Sequence, residues 1–338
     1  MKKGKILVTG GLGFIGSHTV VELQMEGFDV VIIDDLSNTR IEVLDGITAI
    51  THKKPEYVNL DLKDKVLVEQ FFRDHEIDGV IHFAASKAVG ESVEKPLKYY
   101  ENNINTLVYL LGAMKKQNVP YFIFSSSCTV YGQADQLPIT EDAPVKAAES
   151  PYGNTKQIGE EILSDLTKVS ELKAIALRYF NPIGAHESSK RGELPIGVPQ
   201  NLIPFVTQTA AGIRKELSVF GDDYPTPDGT AIRDYIHVVD LARAHISALR
   251  RLMEGKNKSE MEFFNIGTGK GSSVLEVIKA FEKVSQKKLN YKIVARREGD
   301  ITAAYADTSL ANKELGWKAA LGLEEALASA WQWQLNQK

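Results

Sequence analysis

A glycine-rich turn near the start of the chain constrains the fold more than any other feature of the sequence. The apolar run KILVTG (5–10) leads into G-x-G-x-x-G at Gly11, Gly13 and Gly16, and G-x-x-G-x-x-G overlaps it from Gly10. An amphipathic segment follows at once. Glycines between a strand and a helix let the backbone turn tightly and approach a pyrophosphate, which then lies at the helix N-terminus. The pattern predicts a dinucleotide-binding βαβ unit.

The first half of the chain alternates short apolar runs with longer amphipathic stretches. Strands that are apolar on both faces are typical of a parallel sheet covered by helices on both sides. The alternation therefore predicts an α/β protein with a Rossmann-type doubly wound parallel sheet. The predicted strands are 5–10, 29–34, 79–85, 121–127 and 173–181, and the predicted helices are 14–27, 64–75 and 92–117.

The pattern changes after Asn181, where glycine and proline become frequent and a single good helix is predicted, near 202–214. Residues 233–250 have the pattern of a helix and 262–269 that of a strand, and both could return to the first sheet. We therefore expect a Rossmann domain over 1–180, joined again by 233–267, and a smaller interleaved C-terminal α/β substrate domain over 181–338.

Composition excludes several classes of function. The net charge is −4, with 40 basic and 44 acidic residues and no long block of one sign, so nucleic acid is not an expected partner. No apolar run approaches the roughly 20 residues that cross a bilayer, and the basic, glycine-interrupted N-terminus lacks the cleavage site of a signal peptide. The only cysteine, Cys128, fits a reducing compartment, which predicts the cytoplasm. The seven histidines show no metal-ligand spacing, so no metal is predicted.

Acidic residues at strand ends indicate which dinucleotide binds. Asp34 ends the second predicted strand 18 positions beyond Gly16, where a carboxylate would accept hydrogen bonds from ribose hydroxyls and repel a 2′-phosphate. This favours NAD over NADP. Asp35 either adds to that repulsion or is a solvated loop residue. Asp61 either contacts the adenine or caps the helix that begins near Asp64.

Hydroxyl groups and a Tyr–Lys pair point to proton transfer. Ser125, Ser126 and Ser127 end a predicted buried strand, and SPYGNTK places Tyr152 and Lys156 four positions apart 25 residues later. On a helix these two side chains share one face. A neighbouring ammonium lowers the pKa of a phenol, which favours acid–base work near neutral pH. Taken alone, the pair could be a coincidence on a helix surface.

The glycine-rich turn, the serine-rich strand end and the Tyr–Lys pair follow one another along the chain. In this order they resemble the extended short-chain dehydrogenase/reductase superfamily. The chain resembles in particular the UDP-glucose 4-epimerases, over nearly its whole length, in GGLGFIGSH, KAVGES, SSSCTVYG, SPYGNTK, RYFNPIGAH, GDDYPTPDGTAIRDYIHVVDLA and RREGD. The resemblance implies tightly bound NAD and a UDP-sugar substrate held by the second domain. In that family a hydride leaves the hexose C4, the 4-keto sugar turns over, and the hydride returns to its other face.

The resemblance also implies residue roles. Tyr152 is the general base and later the acid, Lys156 binds the nicotinamide ribose and lowers the tyrosine's pKa, and Ser127 hydrogen-bonds the reacting oxygen. The implied cofactor-binding residues are Gly10, Gly13, Phe14, Ile15, Gly16, Asp34, Asn38, Asp61, Leu62, Phe83, Ala84, Lys87, Asn102, Ser125, Tyr152, Lys156 and Tyr179. The implied substrate-binding residues are Ser127, Tyr152, Asn181, Asn201, Leu202, Phe220, Arg233, Arg297, Asp300 and Ala304.

Sugar specificity and assembly are further expectations from the resemblance. The family residue before an aromatic-Ala-Asp step borders the hexose C2 substituent, and ITAAYAD places Ala304 there, which leaves room for an N-acetyl group. A shift of one residue would place Tyr305 there and reverse the inference. Long helices at 92–117 and 153–170 predict a homodimer built on a four-helix bundle.

Other enzymes on this fold are the nearest alternatives. A nucleotide-sugar dehydratase would carry an acidic pair just after the catalytic serine, whereas Cys128 and Thr129 follow Ser127 here. A UDP-glucuronate decarboxylase is the second alternative. A catalytically silent NAD-binding regulator is a third, although such a protein would usually have lost Tyr152 or Lys156.

Overall fold

A computed structural model describes residues 4–297 and 299–337. All five strands predicted in the first half of the chain are present: 29–34 has the predicted bounds, and the other four end one to three residues earlier than expected. The strands are β1 Lys5–Thr9, β2 Asp29–Asp34, β3 Glu56–Asn59, β4 Gly79–His82, β5 Tyr121–Ser125, β6 Lys173–Tyr179, β7 Asn181–Ile183, β8 Leu217–Phe220, β9 Ile232–His237, β10 Met261–Ile266, β11 Gly271–Ser273, β12 Tyr291–Val294 and β13 Ala303–Ala304.

Helices connect these strands. A short 3₁₀ helix over Cys128–Tyr131 follows β5. The α-helices are α1 Phe14–Met25, α2 Val43–Thr51, α3 Lys65–Asp74, α4 Val89–Glu94, α5 Pro96–Lys116, α6 Pro151–Thr167, α7 Leu202–Ala210, α8 Val238–Met253, α9 Val274–Ser285, α10 Ser309–Glu314 and α11 Leu323–Leu335.

The central sheet has seven parallel strands in the order β10-β6-β5-β4-β1-β2-β3. This confirms the predicted doubly wound α/β fold. Alternate residues of each strand enter separate cores on the two faces: Ile6 and Val8 pack with α1 and α8 side chains, whereas Leu7 packs with those of α3 and α5. Burial on both faces explains why the strands read as continuous apolar runs.

The strand order fixes where a ligand can bind. Strand β1 pairs with β2 on one side and with β4 on the other, so the chain winds in opposite directions from β1. A crevice forms at such a switch point, at the carboxyl ends of the strands. The glycine-rich turn after β1, Asp34 at the end of β2 and the serines after β5 all lie at that edge.

Smaller sheets build the second part of the molecule. Strands β11, β9 and β13 form one sheet in that order, with β7 also paired to β9, and β12 pairs with β8. Helices α7, α9 and α11 pack there on Tyr235 of β9 and on Leu217 and Val219 of β8. The edge strand β10 lies in the large sheet, beside β6.

Two predicted helices differ from the structure. Residues 92–117 form two helices, because Pro96 cannot continue a helix from the residue before it and instead begins α5. Residues 233–237, expected to be helical, belong to β9, and α8 begins only at Val238. Asp234 explains the strand, since its buried carboxylate accepts hydrogen bonds from Thr268 and from the backbone N–H of Ala306.

Candidate active site

The glycine-rich turn has the conformation that only glycine tolerates easily. Gly10 has a φ of +66°, in the left-handed region. A Cβ atom at Gly16 would lie 2.3 Å from the carbonyl oxygen of Gly10, so a larger residue would push the turn away from α1. The turn therefore brings the N-terminus of α1, which begins at Phe14, close to the crevice. This is the geometry that accepts a pyrophosphate.

Asp34 anchors the same turn from the next strand. Its carboxylate is buried and accepts hydrogen bonds from the backbone N–H groups of Leu12, at 3.0 Å, and Leu36, at 3.1 Å. Burial raises its pKa, and the two hydrogen bonds oppose that rise. The carboxylate is thus held at the cavity wall where ribose hydroxyls would lie.

The neighbouring acidic residues take different roles. Asp35 is exposed and accepts from the backbone and hydroxyl of Ser37, as a loop residue does. Asp64, and not Asp61, caps helix α3, since its carboxylate accepts from the N–H groups of Val66 and Leu67. Asp61 remains at the cavity wall beside Lys63.

A cavity of about 600 Å³ joins the glycine-rich turn to the Tyr–Lys pair. This volume lies in the range of small-molecule and cofactor sites. The predicted residues that line it are Gly10, Gly13, Phe14, Ile15, Gly16, Asp34, Asn38, Asp61, Phe83, Ala84, Lys87, Asn102, Ser125, Tyr152, Lys156, Tyr179 and Asn201.

Two other predicted residues, Leu62 and Leu202, pack in apolar cores and not at that wall. Leu62 is buried in the apolar core between the sheet and α3, so its side chain does not face the cavity. Leu202 occupies the first position of α7 and packs against the core of the second part.

Helix α6 positions Tyr152 and Lys156. Ser150 caps the helix by accepting from the N–H of Gly153 at 3.2 Å, and Pro151 fixes its first turn. Both functional side chains are buried, at 8% and 4% exposure. The Lys156 ammonium lies 5.8 Å from the centre of the Tyr152 ring and donates to the carbonyl oxygen of Ser125 at 2.7 Å. The predicted pairing on one helix face is therefore present.

The charge balance at Tyr152 differs from the sequence prediction. Burial raises the pKa of Tyr152 well above its usual value, and a hydrogen bond with Ser127 only partly opposes this. Burial also lowers the pKa of Lys156 to about 8, with the Glu160 carboxylate opposing that fall. The surroundings of Tyr152 in the polypeptide thus favour a neutral phenol, and a further positive charge in the cavity would favour its ionisation.

The three serines after β5 each have a separate partner. The Ser125 hydroxyl lies 2.5 Å from the Tyr179 hydroxyl, and Ser126 donates to the buried carboxylate of Glu160 at 2.6 Å. Ser127 accepts from the N–H of Thr129 at 3.2 Å, at the start of the 3₁₀ helix. Of the three, Ser127 is the one that contacts Tyr152.

A second cluster gathers the predicted phosphate-binding arginines. Asp300 accepts from Arg297 at 2.8 Å and lies 3.5 Å from the Arg233 guanidinium. The Arg297 guanidinium lies 5.7 Å from the ring of Phe220, which is 42% exposed. The cluster lies at the start of β9 and the end of β8, outside the wall of the large cavity. It presents the guanidinium groups of Arg233 and Arg297 and the accessible ring of Phe220.

Ala304 and its neighbour face opposite ways. Ala304 pairs with Arg233 across β13 and β9, and it is buried with Tyr131 and Phe180, close to Cys128. Tyr305 lies against Gly271 on the other side of the strand, since a Cβ atom at Gly271 would meet the Tyr305 ring at 3.0 Å. Ala304, and not Tyr305, therefore faces the segment that follows Ser127.

The remaining predicted substrate residues flank this region. Asn181 is exposed at the start of β7, which pairs with β9. Asn201 precedes α7 and donates to the Glu193 carboxylate at 2.6 Å. Glu193 also lies 3.7 Å from the Lys87 ammonium.

Sequence reasoning missed the segment 191–200, which lines the large cavity between Arg191 and Gln200. No motif marks it, and it belongs to the loop-rich region whose position depends on tertiary contacts. One local signal was available, because Arg191 is a charged residue directly before a glycine in that region.

The described residues lack two kinds of feature, a metal-binding cluster and a membrane-spanning helix. Within 4–297 and 299–337, no group of three or more histidine, cysteine, aspartate or glutamate side chains is arranged to hold a metal ion. In the same ranges no helix has both the length and the apolar character needed to span a bilayer.

Comparison with known proteins places this site in context. The family model for GDP-mannose 4,6 dehydratase matches residues 7–330. A UDP-glucose 4-epimerase of Bacillus subtilis (strain 168) is 52% identical over 330 residues, which are 97% of this chain and 96% of that protein.

Solved structures of 4-epimerases are also similar to this chain. The crystal structure of UDP-glucose 4-epimerase from Bifidobacterium longum in complex with NAD+ and UDP has a TM-score of 0.94 and 48% identity, over 98% of each chain. A UDP-Glc/GlcNAc 4-epimerase from Campylobacter jejuni has a TM-score of 0.84 and 36% identity, over 98% of this chain and 99% of that one.

Proposed function

Because this chain belongs to the UDP-glucose 4-epimerase family, it is an NAD-dependent isomerase of UDP-glucose and UDP-galactose, and we propose that Tyr152, Lys156 and Ser127 carry its chemistry. The observation that supports these roles most strongly is the shared cavity. Tyr152 and Lys156 line the same space as the glycine-rich turn. Bound NAD supplies the acceptor and donor of hydride for the hexose C4 carbon.

Tyr152 exchanges the proton of the C4 hydroxyl. Its phenol must lose a proton to act as a base, yet burial raises its pKa. The Lys156 ammonium offsets part of that burial, and an oxidised nicotinamide, when bound, would add a second positive charge. Proton transfer at Tyr152 is therefore coupled to cofactor binding through charge.

Ser127 positions the reacting oxygen. It contacts Tyr152 and stands at the N-terminus of the 3₁₀ helix, where the N–H of Thr129 holds its hydroxyl oxygen. A hydroxyl fixed in this way can donate to the C4 oxygen while Tyr152 exchanges the proton. Lys156 is fixed by its hydrogen bond to the Ser125 carbonyl, so it keeps its distance from the phenol.

The UDP group is held away from the reacting carbon. Arg233 and Arg297 bind the diphosphate with forked hydrogen bonds, and Phe220 stacks on the uracil ring. Asp300 holds both guanidiniums in place. Asn181, Asn201 and Leu202 complete the substrate contacts.

The enzyme also takes N-acetylated hexoses. Ala304 projects toward Cys128 and Phe180, and its small side chain leaves space beside the hexose C2 group. A relative 36% identical to this chain is described as a UDP-Glc/GlcNAc 4-epimerase, which supports this wider substrate range. UDP-N-acetylglucosamine and UDP-N-acetylgalactosamine are the added pair.

The protein is a cytoplasmic homodimer. Helix α5 exposes Leu97, at 79%, and Val108, at 44%, on the helix that would pair with its copy across a two-fold axis. The single free Cys128 is in keeping with a reducing compartment. Light scattering that gives only the 37.4 kDa monomer at micromolar concentration would rule out the dimer.

Proton NMR of purified protein with UDP-glucose tests the proposal directly. We expect UDP-galactose to appear without added NAD, because a cofactor that ends each cycle unchanged need not leave. Acid treatment should release about one NAD per chain. A preparation that holds the nucleotide but forms no UDP-galactose would favour the silent NAD-binding protein.

A further inference from the structure

Three arginines are almost fully buried, and their partners differ. Arg178, at 5% exposure, donates two hydrogen bonds to Glu160, at 2.9 and 2.7 Å. Arg251, at 6%, donates two to Glu262, at 2.7 and 2.9 Å. Arg191, at 4%, has no carboxylate within ion-pair distance among residues 4–297 and 299–337.

The contacts that Arg191 does make are to neutral groups. Its Nε and Nη2 atoms donate to the Ser17 hydroxyl at 3.3 and 3.2 Å, and Nη2 lies 3.5 Å from the carbonyl oxygen of Gly192. The guanidinium also lies 5.7 Å from the ring of Trp333. A buried charge without a counter-charge is costly, so a residue of this kind needs a compensating function.

The position of Arg191 indicates what that function is. Arg191 lines the large cavity together with Gly13 and Gly16. Ser17, its hydrogen-bond partner, lies on the first turn of α1, whose N-terminus faces the same space. A guanidinium presents a fork of donors that matches phosphate oxygens.

We propose that Arg191 binds the diphosphate of NAD, beside the first turn of α1 to which it is hydrogen-bonded, and that this diphosphate is its counter-charge. The proposal rests on the proposed function, in which NAD occupies this cavity. It concerns the NAD diphosphate and not that of the UDP-sugar, because Arg233 and Arg297 serve the latter from a separate cluster. The nearest acidic residue along the chain, Glu193, already contacts Asn201 and Lys87.

Arg191→Met tests the proposal, with Arg191→Lys and Arg243→Met as companions. Arg243 also contacts α1, through Glu22 at 2.9 Å, but its side chain is half exposed, so its loss removes the same charge from the surface of that helix. The affinity of nucleotide-stripped full-length protein for ADP-ribose, adenosine and UDP is measured by calorimetry. Nucleotide retained through purification is measured after acid release.

We expect Arg191→Met to weaken ADP-ribose binding by about tenfold to a hundredfold and to lower the retained NAD, because a charge-assisted hydrogen bond is lost. Adenosine, which lacks phosphate, and UDP should bind as they do to wild type. Arg191→Lys, which keeps the charge without the fork, should lose less. Arg243→Met should lose almost nothing.

Denaturant unfolding of the stripped proteins separates this role from a structural one. Removing an uncompensated buried charge should leave Arg191→Met as stable as wild type or more stable, although it binds ADP-ribose less tightly. A variant that unfolds more easily and still binds ADP-ribose normally would overturn the proposal. If Arg191→Met does not fold, normal ADP-ribose affinity in Arg191→Lys would overturn it instead. Wild type that binds neither ADP-ribose nor NAD would overturn the proposed function, and this inference with it.

Discussion

The buried cations at the cavity wall differ from those in the core. In the core, Arg178 and Arg251 each meet a carboxylate in a forked ion pair, and their carboxylate partners raise the pKa of both guanidiniums. At the wall, Lys156 and Arg191 meet only neutral hydrogen-bond acceptors. Burial lowers their pKa values, to about 8 and about 10 respectively.

This difference between paired and unpaired buried cations indicates which of them are available to a ligand. An ion pair in the core has its charge balanced by the protein, so its contribution is to the folded state. Among the described residues, a buried cation at the wall has no carboxylate hydrogen-bonded to it, so it can balance an anionic ligand or act on a neighbouring group such as Tyr152. Replacing a core arginine should therefore mainly lower the free energy of unfolding. Replacing Lys156 or Arg191 at the cavity wall should mainly lower ligand affinity or the reaction rate.

Arg251→Met should give the largest effect on stability. It leaves Glu262 buried without its partner, which costs about 3–5 kcal/mol in the free energy of unfolding. Arg250→Met is the matched control, since Arg250 is the preceding residue and forms a partly exposed pair with Glu26 that is worth about 1 kcal/mol at most. Denaturant unfolding measures both. Equal losses in the two variants would remove the distinction between core and surface charge.

Tyr152→Phe should give the largest effect on rate. It removes proton transfer without removing a charge, so kcat should fall by about 10²-fold or more while NAD stays bound. Tyr100→Phe is the control. The Tyr100 hydroxyl also contacts helix α6, where it accepts a hydrogen bond from Asn154 at 2.8 Å, but it is not one of the proposed catalytic groups. Wild-type kcat in Tyr152→Phe would end the assignment of this residue as the acid–base group.

Ala304→Tyr enlarges a side chain without changing its charge. Its effect on kcat/KM should be smaller than that of Tyr152→Phe and limited to the N-acetylated substrates. The larger side chain would fill the space beside Arg233 and Phe180, so kcat/KM for the N-acetylated pair should fall by about tenfold or more, while that for UDP-glucose and UDP-galactose stays near wild type. The ratio of the two kcat/KM values is the measurement. Wild-type enzyme that turns over UDP-galactose but not UDP-N-acetylgalactosamine would contradict an open site at Ala304.

Local patterns account for the predicted residues that line the large cavity. The turn from Gly10 to Gly16 and the four-residue spacing of Tyr152 and Lys156 are short-range features, so the sequence alone specifies their geometry. Asp34 was predictable for the same reason, because the end of β2 fixes its place. The predicted sheet was confirmed, whereas the division into domains and the roles of the site residues stay predictions.

Features that depend on distant contacts were not predictable. Residues 233–237 were wrongly expected to be helical, because the strand is fixed by pairing with three other segments of the chain. Arg191 was missed because Ser17 and Trp333, which hold it, lie more than 140 positions away in sequence. The effect of burial on Tyr152 was also missed, since the sequence shows the nearby lysine but not the apolar surroundings.

We expect Tyr152 to ionise more readily when a second positive charge joins Lys156 in the cavity. Phenolate absorbance titrated against pH, as the difference between wild type and Tyr152→Phe, measures this with oxidised and with reduced NAD bound. A cation favours the anionic form, so the pKa of Tyr152 should be lower with oxidised NAD than with reduced NAD. The same pKa in both states would contradict the account, because the charge of the cofactor would then have no part in preparing the base.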